Sequence, residues 1–196
     1  MDEIGVLDDP RAAAVALDPL RSRLLALLAG DAASAATLAA AVDQTRQKVG
    51  YHLRLLAEHD LVREVGQRRH GGLTERLFTA SAGAYVVSPG ALGAAGADPD
   101  RVEDRLSAEY LIALAGRAVR EVGLLVRGAA AARQRLPTLS IDTDIRFGTA
   151  ADRDAFALEV AATVRDLASR YHDESSTGGR WYRFVAVSHP RPSEEP

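Results

Sequence analysis

The chain has no cysteine, a single lysine and few aromatic residues. Without thiols it can build neither a disulfide framework nor a thiolate metal site. No run approaches the roughly 18 apolar residues that a membrane-spanning helix needs. The N-terminus lacks the basic-then-apolar pattern of a secretory signal, so a soluble cytoplasmic protein without membrane contacts is expected. Three motifs of familiar chemistry are also missing: Gly-x-Ser-x-Gly, the Walker loop and His-Glu-x-x-His. No enzyme, resident metal or cofactor is therefore expected. A net charge of -3 excludes a globally basic nucleic-acid binder but leaves room for a local patch. Lys48 is the only lysine and alanine is abundant. A GC-rich genome produces the same bias, so arginine counts alone carry little weight.

What is present is enough apolar matter, 47% of 196 residues, for one domain or two small ones. The most informative stretch is 45–56. Val49, Leu53 and Leu56 recur at spacings of four and three, which lays one apolar stripe along a helix. Thr45 suits the N-cap. Arg46, Gln47, Lys48, Tyr51, His52 and Arg54 fall outside the stripe, donors suited to phosphates and base edges. Taken alone, the helix could equally be a surface helix with a solvated basic face.

Its neighbours favour the more specific reading. The segment 1–9 is acidic and expected to fray. A short helix follows Pro10 over 11–17, and Asp18-Pro19 starts another that carries Leu20, Leu24, Leu27 and Leu28 to a stop at Gly30. Ser34 caps a third helix over 35–42, with Leu38 and Val42 inward. Asp43-Gln44 turns into the helix at 45. Two short helices joined by a tight turn, the second with a polar outer face, form the helix-turn-helix pattern. Residues 61–65 have strand character, and 67–72 reads as a turn because Gly71 and Gly72 accept positive φ. A second strand over 73–79 completes a hairpin whose tip carries Arg68, Arg69 and His70. A basic hairpin tip directly after a basic helix can reach a groove or phosphates.

Leu38-Ala39, then Val49-Gly50-Tyr51-His52-Leu53-Arg54-Leu55-Leu56, Leu61-Val62 and Arg68-Arg69 resemble the ArsR-type winged helix-turn-helix regulators. The resemblance covers about 18–80. Gly50 stands where serine is usual, and Asp60 where glycine is usual. The resemblance implies a winged fold and DNA contacts from recognition helix 45–56 and wing 66–72, with repression as the mode of regulation. Thr45, Arg46, Gln47, Lys48, Tyr51, His52, Arg54, Arg68, Arg69 and His70 are the candidate DNA-binding residues. His52 has a second reading as a structural hydrogen-bond donor at the helix edge, and Tyr51 as a shield of the helix–wing junction. Family members that sense metals through cysteine set no precedent for this chain.

Residues 81–97 read as a linker with a short extended piece at Tyr85-Val86-Val87. Asp98-Pro99-Asp100 is a helix start, predicting a helix of about 35 residues to Arg135, before Pro137. Its apolar series is interspersed with alanine and with Gly116, Gly123 and Gly128. Small residues let another helix approach, so packing against a second copy is expected; bending around its own domain is the alternative. Residues 138–147 alternate apolar and polar, predicting a half-buried strand. A helix over 150–171 and an apolar strand over 181–188 follow, together a small β-α-β region. The proline-rich tail 190–196 is expected to be disordered.

Three features here have both a chemical and a plain reading. Asp142 and Asp144 share a face, as a carboxylate pair or as the wet side of a strand. His172, Asp173 and Glu174 are potential ligands or solvent-facing residues. Phe147, Trp181, Tyr182 and Phe184 line an effector pocket or form the core of a small domain.

The expected fold is mainly α with small β content. It comprises a winged helix-turn-helix over 10–80, a linker over 81–97, a dimerisation and effector region over 98–189, and the tail. The expected function is a DNA-binding transcriptional regulator, a homodimer on a two-fold double-stranded DNA operator, answering to a small-molecule effector that is not thiolate-bound. The alternative is a winged-helix protein-interaction module without specific DNA binding.

Overall fold

Aspartate, serine and threonine side chains start the first four helices. Each accepts from free backbone N–H groups of the opening turn, which would otherwise lack partners. Asp9 caps α1 (Pro10–Ala16), and Asp18 caps α2 (Pro19–Leu28) by accepting from the N–H groups of Leu20 and Arg21, both at 3.0 Å. Ser34 caps α3 (Ala35–Val42), and Thr45 caps α4 (Arg46–Glu58). The computed structural model describes residues 2–70 and 73–192. The turn expected at Gly71-Gly72 and the tail from residue 193 lie outside the described residues.

α2, α3 and α4 meet around Leu24, Leu28, Leu38, Val49, Leu53 and Leu56, all essentially buried. Full burial of such side chains is worth roughly 1.5–3 kcal/mol each. A three-stranded antiparallel sheet closes one side, in the order β2 (Ala33–Ser34), β4 (Leu73–Ala80), β3 (Val62–His70). Phe78 enters the core from β4, and Leu61 and Val62 enter from the start of β3. A register shift between Glu64 and Gly66 bends β3.

The segment expected to fray is instead a strand, β1 (Asp2–Leu7). It pairs in parallel with β5 (Ala82–Val87), from Asp2 opposite Ala82 to Leu7 opposite Val87. The acidic residues of this segment disguise the apolar run Ile4, Val6 and Leu7, whose last member joins the core. The expected linker is therefore ordered. Tyr85 of β5 donates its hydroxyl to the Leu61 carbonyl at 2.8 Å and accepts from the Ala82 N–H at 3.1 Å. A 3₁₀ segment, Pro89–Ala95, continues from it.

The long helix is shorter than expected. Asp98-Pro99 does start a helix, but only one 3₁₀ turn, Pro99–Arg101. The Asp98 and Asp100 carboxylates fold back onto Arg117, at 2.9 and 2.6 Å, and the chain restarts at a Ser107 cap as α5 (Ala108–Ala131). α5 ends four residues before Arg135, where Arg133 takes the left-handed conformation (φ +52°).

The chain divides into two compact units, Met1–Leu136 and Pro137–Pro196. In the second, the helix expected at 150–171 is present as α6 (Ala150–Tyr171), opened by a Thr149–Asp152 capping box. The two strands expected around it are absent: neither 138–147 nor 181–188 enters a ladder. Alternation prepares a strand, but only a neighbouring strand can take its N–H and C=O groups. Leu139 and Ile141 are correspondingly exposed. The described residues of this unit thus hold one helix and no strand where a β-α-β unit was expected.

Candidate nucleic-acid interface

α4 has two opposed faces. Val49, Leu53 and Leu56 are inside, and Arg46, Gln47, Lys48, Tyr51 and Arg54 are exposed on the other side. At the helix start the Thr45 hydroxyl accepts from the Lys48 N–H at 3.2 Å, and Lys48 Nζ donates to Gln44 Oε1 at 2.8 Å. Lys48 thus stands at the helix-turn-helix corner. Tyr51 is half exposed, its ring edge-on to His52 at 5.4 Å.

His52 faces a different direction from its neighbours. It is half-buried, with Nδ1 3.4 Å from Arg21 Nη1 on α2. Arg21 is itself held, its Nε donating to the Val15 carbonyl at 2.6 Å and its guanidinium 3.7 Å from Asp18. Burial pushes the His52 pKa below its ordinary value. The Asp18 carboxylate opposes that shift, and the Arg21 and Lys48 charges add to it. His52 Nδ1 accepts from Arg21 and so links α4 to α2, as an acceptor where the structural reading expected a donor.

The hairpin is longer than the sequence suggests. β3 runs to His70, so Arg68 and Arg69 lie on the ladder, opposite Glu75 and Thr74, rather than in a loop. The side chain of His70 lies outside the described residues. Arg68 Nη2 donates to Glu75 Oε2 at 3.2 Å and reaches Thr37 Oγ1 of α3 at 3.5 Å, which ties the hairpin to the helix-turn-helix. Arg69 is exposed.

Between α4 and β4 runs an open cleft of about 660 Å³, lined by Arg46, Gln47, Gly50, Arg54, Thr74 and Arg76 among others. It brings the basic face of the helix onto one surface with residues 74–76 of β4, among them Glu75 and Arg76. Arg76 was not among the residues singled out from the sequence. It lies 3.5 Å from Glu64 Oε2 and 5.7 Å above the Phe78 ring. Its signal was its place as a polar residue of β4, paired with Gln67 next to the arginines of β3. Gly50 contributes space: a Cβ there would meet nothing within 4 Å.

The candidates in the second unit are not brought together. Phe147 packs on Phe156 with ring centroids at 5.4 Å, and Trp181 lies beside His172 at 5.5 Å. Trp181, Tyr182 and Phe184 are 82%, 68% and 59% exposed, so they enclose neither a pocket nor a core. A strand apolar on both faces needed neighbouring layers, and none forms among the described residues of this unit. Asp144 pairs with Arg191 at 2.9 Å, and His172 with Glu174 at 3.3 Å. Among the described residues no three or more metal-capable side chains gather, and no helix is long and apolar enough to cross a membrane.

A family model described as a helix-turn-helix domain matches residues 16–65, which spans α2, α3, α4 and the opening of β3. No curated protein matches the chain. The matched segment is the one that carries the buried stripe and the exposed donor row of α4, so the chain carries a helix-turn-helix domain of the DNA-binding regulatory kind.

Proposed function

We propose that this protein is a DNA-binding transcriptional regulator of the ArsR type, a repressor that works as a homodimer on a two-fold operator. The observation that carries this reading is α4: one face buried in the helix-turn-helix core, the other presenting Arg46, Gln47, Lys48, Tyr51 and Arg54 to solvent. A helix of this kind fits the major groove with its N-terminal residues at base edges. The hairpin then acts as a wing, with Arg68, Arg69 and Arg76 along the adjacent phosphates. Two copies would meet half-sites about one helical turn apart. A cysteine-free chain has no thiolate for sensing, so an effector would be a small molecule bound by other chemistry.

Within α4 the roles divide by chemistry. Lys48 is a point charge at the helix start and suits a phosphate. Gln47 can read a base edge through paired donor and acceptor.

A mobility-shift titration against the protein's own upstream DNA, at two salt concentrations with random competitor, tests the proposal. A shifted band that survives the competitor is expected. Lys48→Ala should weaken binding to every sequence and reduce the salt slope by roughly 0.9. Gln47→Ala should instead relax sequence preference. Equal losses on specific and random DNA for both variants would sink that division of roles. The same band serves to screen small molecules for release. No preference over random DNA at either salt would favour a winged helix used for protein contacts.

A further inference from the structure

Gly50 stands well inside α4, the fifth of its thirteen residues. Glycine is the poorest helix former after proline, because it gives up the most backbone freedom on folding. Inside a helix it usually answers a close neighbour. Gly116 and Gly123 of α5 do so: a Cβ would lie 2.8 Å from Pro89 at the first and 2.7 Å from Val6 at the second. Gly128 has room for a Cβ, but it belongs to the closing turn of α5. Gly50 has the same room in mid-helix, with nothing within 4 Å of a Cβ. Among the described residues no neighbour requires a glycine there.

The open space has a direction. Gly50 lies three positions after Gln47 and four before Arg54, so the three share a side of the helix. All three line the cleft between α4 and β4. At about 100° per residue, Gly50 falls between the buried Leu53 and the exposed pair Gln47 and Arg54. It is itself half-buried. Where its neighbours offer donors, Gly50 offers a ligand only carbon, since its backbone polar groups serve the helix.

Base edges in the major groove differ in what they ask of such a spot. Every base presents donors or acceptors there, and thymine alone adds an apolar group, its C5 methyl. A polar edge pressed against Gly50 would lose its water and gain no partner. A methyl group has no such loss, and the missing Cβ leaves space for it.

We infer that Gly50 is a specificity-determining position, an open seat on α4 for the C5 methyl of a thymine beside the base that Gln47 reads. The inference rests on the DNA reading of α4 and adds to it a base recognised by shape.

The test moves one methyl group between DNA and protein. The protein's own upstream fragment is made twice, with thymidine and with deoxyuridine throughout, which differ only in that methyl. The full chain and its Gly50→Ala variant are titrated against both in the mobility shift, and against random DNA. The native protein should bind the thymidine fragment about fourfold more tightly than the deoxyuridine one. Gly50→Ala should lose about tenfold on the thymidine fragment, because its Cβ fills the seat. On the deoxyuridine fragment it should match or exceed the native protein, its own methyl standing where that of thymine was. The variant keeps every charge, so random DNA binding and the salt slope should not change.

A Gly50→Ala protein that equals the native one on thymidine DNA would overturn the inference. An equal loss on both fragments would overturn it too, because the space would then serve something other than the methyl. In either case the native protein still shifts its fragment specifically, and the DNA reading stands. A native protein with no preference over random DNA would overturn that reading and this inference together. The ratio between the two fragments is taken within each protein, so a change in stability does not alter it.

Discussion

Asp60 shows how a departure from a familiar pattern is settled by a torsion angle. At the end of α4 the Leu61 N–H donates to the Leu56 carbonyl at 2.9 Å and the Asp60 N–H to that of Ala57 at 3.1 Å, the double bond of a Schellman cap. Such a cap needs a left-handed residue, and Asp60 has φ +57°. Glycine adopts that conformation without the clash between Cβ and the following carbonyl, which costs an L-residue roughly 1–2 kcal/mol and aspartate somewhat less. Asp60→Gly should therefore stabilise the protein by about 1 kcal/mol, read as a higher denaturant midpoint at unchanged slope. A lower midpoint would mean that the Asp60 side chain contributes more than its strain costs.

His52 gives the residue scale a pH dependence. Burial holds its folded pKa below the ordinary value of 6.5. Above that value the imidazole is neutral in both states and its contribution is complete. As pH falls below it, the unfolded chain takes the proton first, and stability declines until pH has passed the folded value. Denaturation of the native protein and of His52→Gln at about pH 7.5 and about pH 5.5 isolates this contribution. The native protein should lose more on acidification; equal losses would assign the effect to other groups. The apolar stripe of α4 and the cap at Thr45 were legible in sequence because both are local. The direction His52 takes was not, because it depends on Arg21, which lies 31 positions away along the chain.

At the scale of elements, neighbours decide what local preference leaves open. Gly50 and Gly123 both sit inside helices, where replacement by alanine should gain about 1 kcal/mol of propensity. At Gly50 a Cβ meets nothing within 4 Å, so Gly50→Ala should realise that gain. At Gly123 it would come within 2.7 Å of the Val6 side chain on β1, so Gly123→Ala should push α5 from the strand and destabilise. Thermal unfolding of the two variants should show shifts of opposite sign, and shifts of the same sign would refute the close packing of α5 on β1. The same dependence explains the missing strands. The alternation over 138–147 was plain, but pairing is a property of two segments. β1 shows the reverse case: a short acidic stretch with a weak pattern becomes a strand because β5 is there to receive it.

For the whole molecule, structure was legible where it is local in sequence and hidden where it is not. Asp18, Ser34 and Thr45 cap helices that begin within a residue of the expected positions. The cleft that unites α4 with the hairpin needed Arg54 and Arg76 brought to one surface, which no spacing rule announces. In the second unit no described residue is buried, so its apolar side chains give no packing from which a role can be read.

The parallel pairing of β1 with β5 also sets a timetable. Asp2 lies opposite Ala82, and all of α1 to α4 and the hairpin falls between the two strands. On a ribosome adding about 5–20 residues each second, β1 emerges roughly 4–16 s before its partner is made. During that interval the helix-turn-helix can assemble from contacts close in sequence, while the first strand waits unpaired. The pairing of β1 with β5 therefore waits for the helix-turn-helix and the hairpin to be made, and the seat of α5 on Val6 exists only after that pairing.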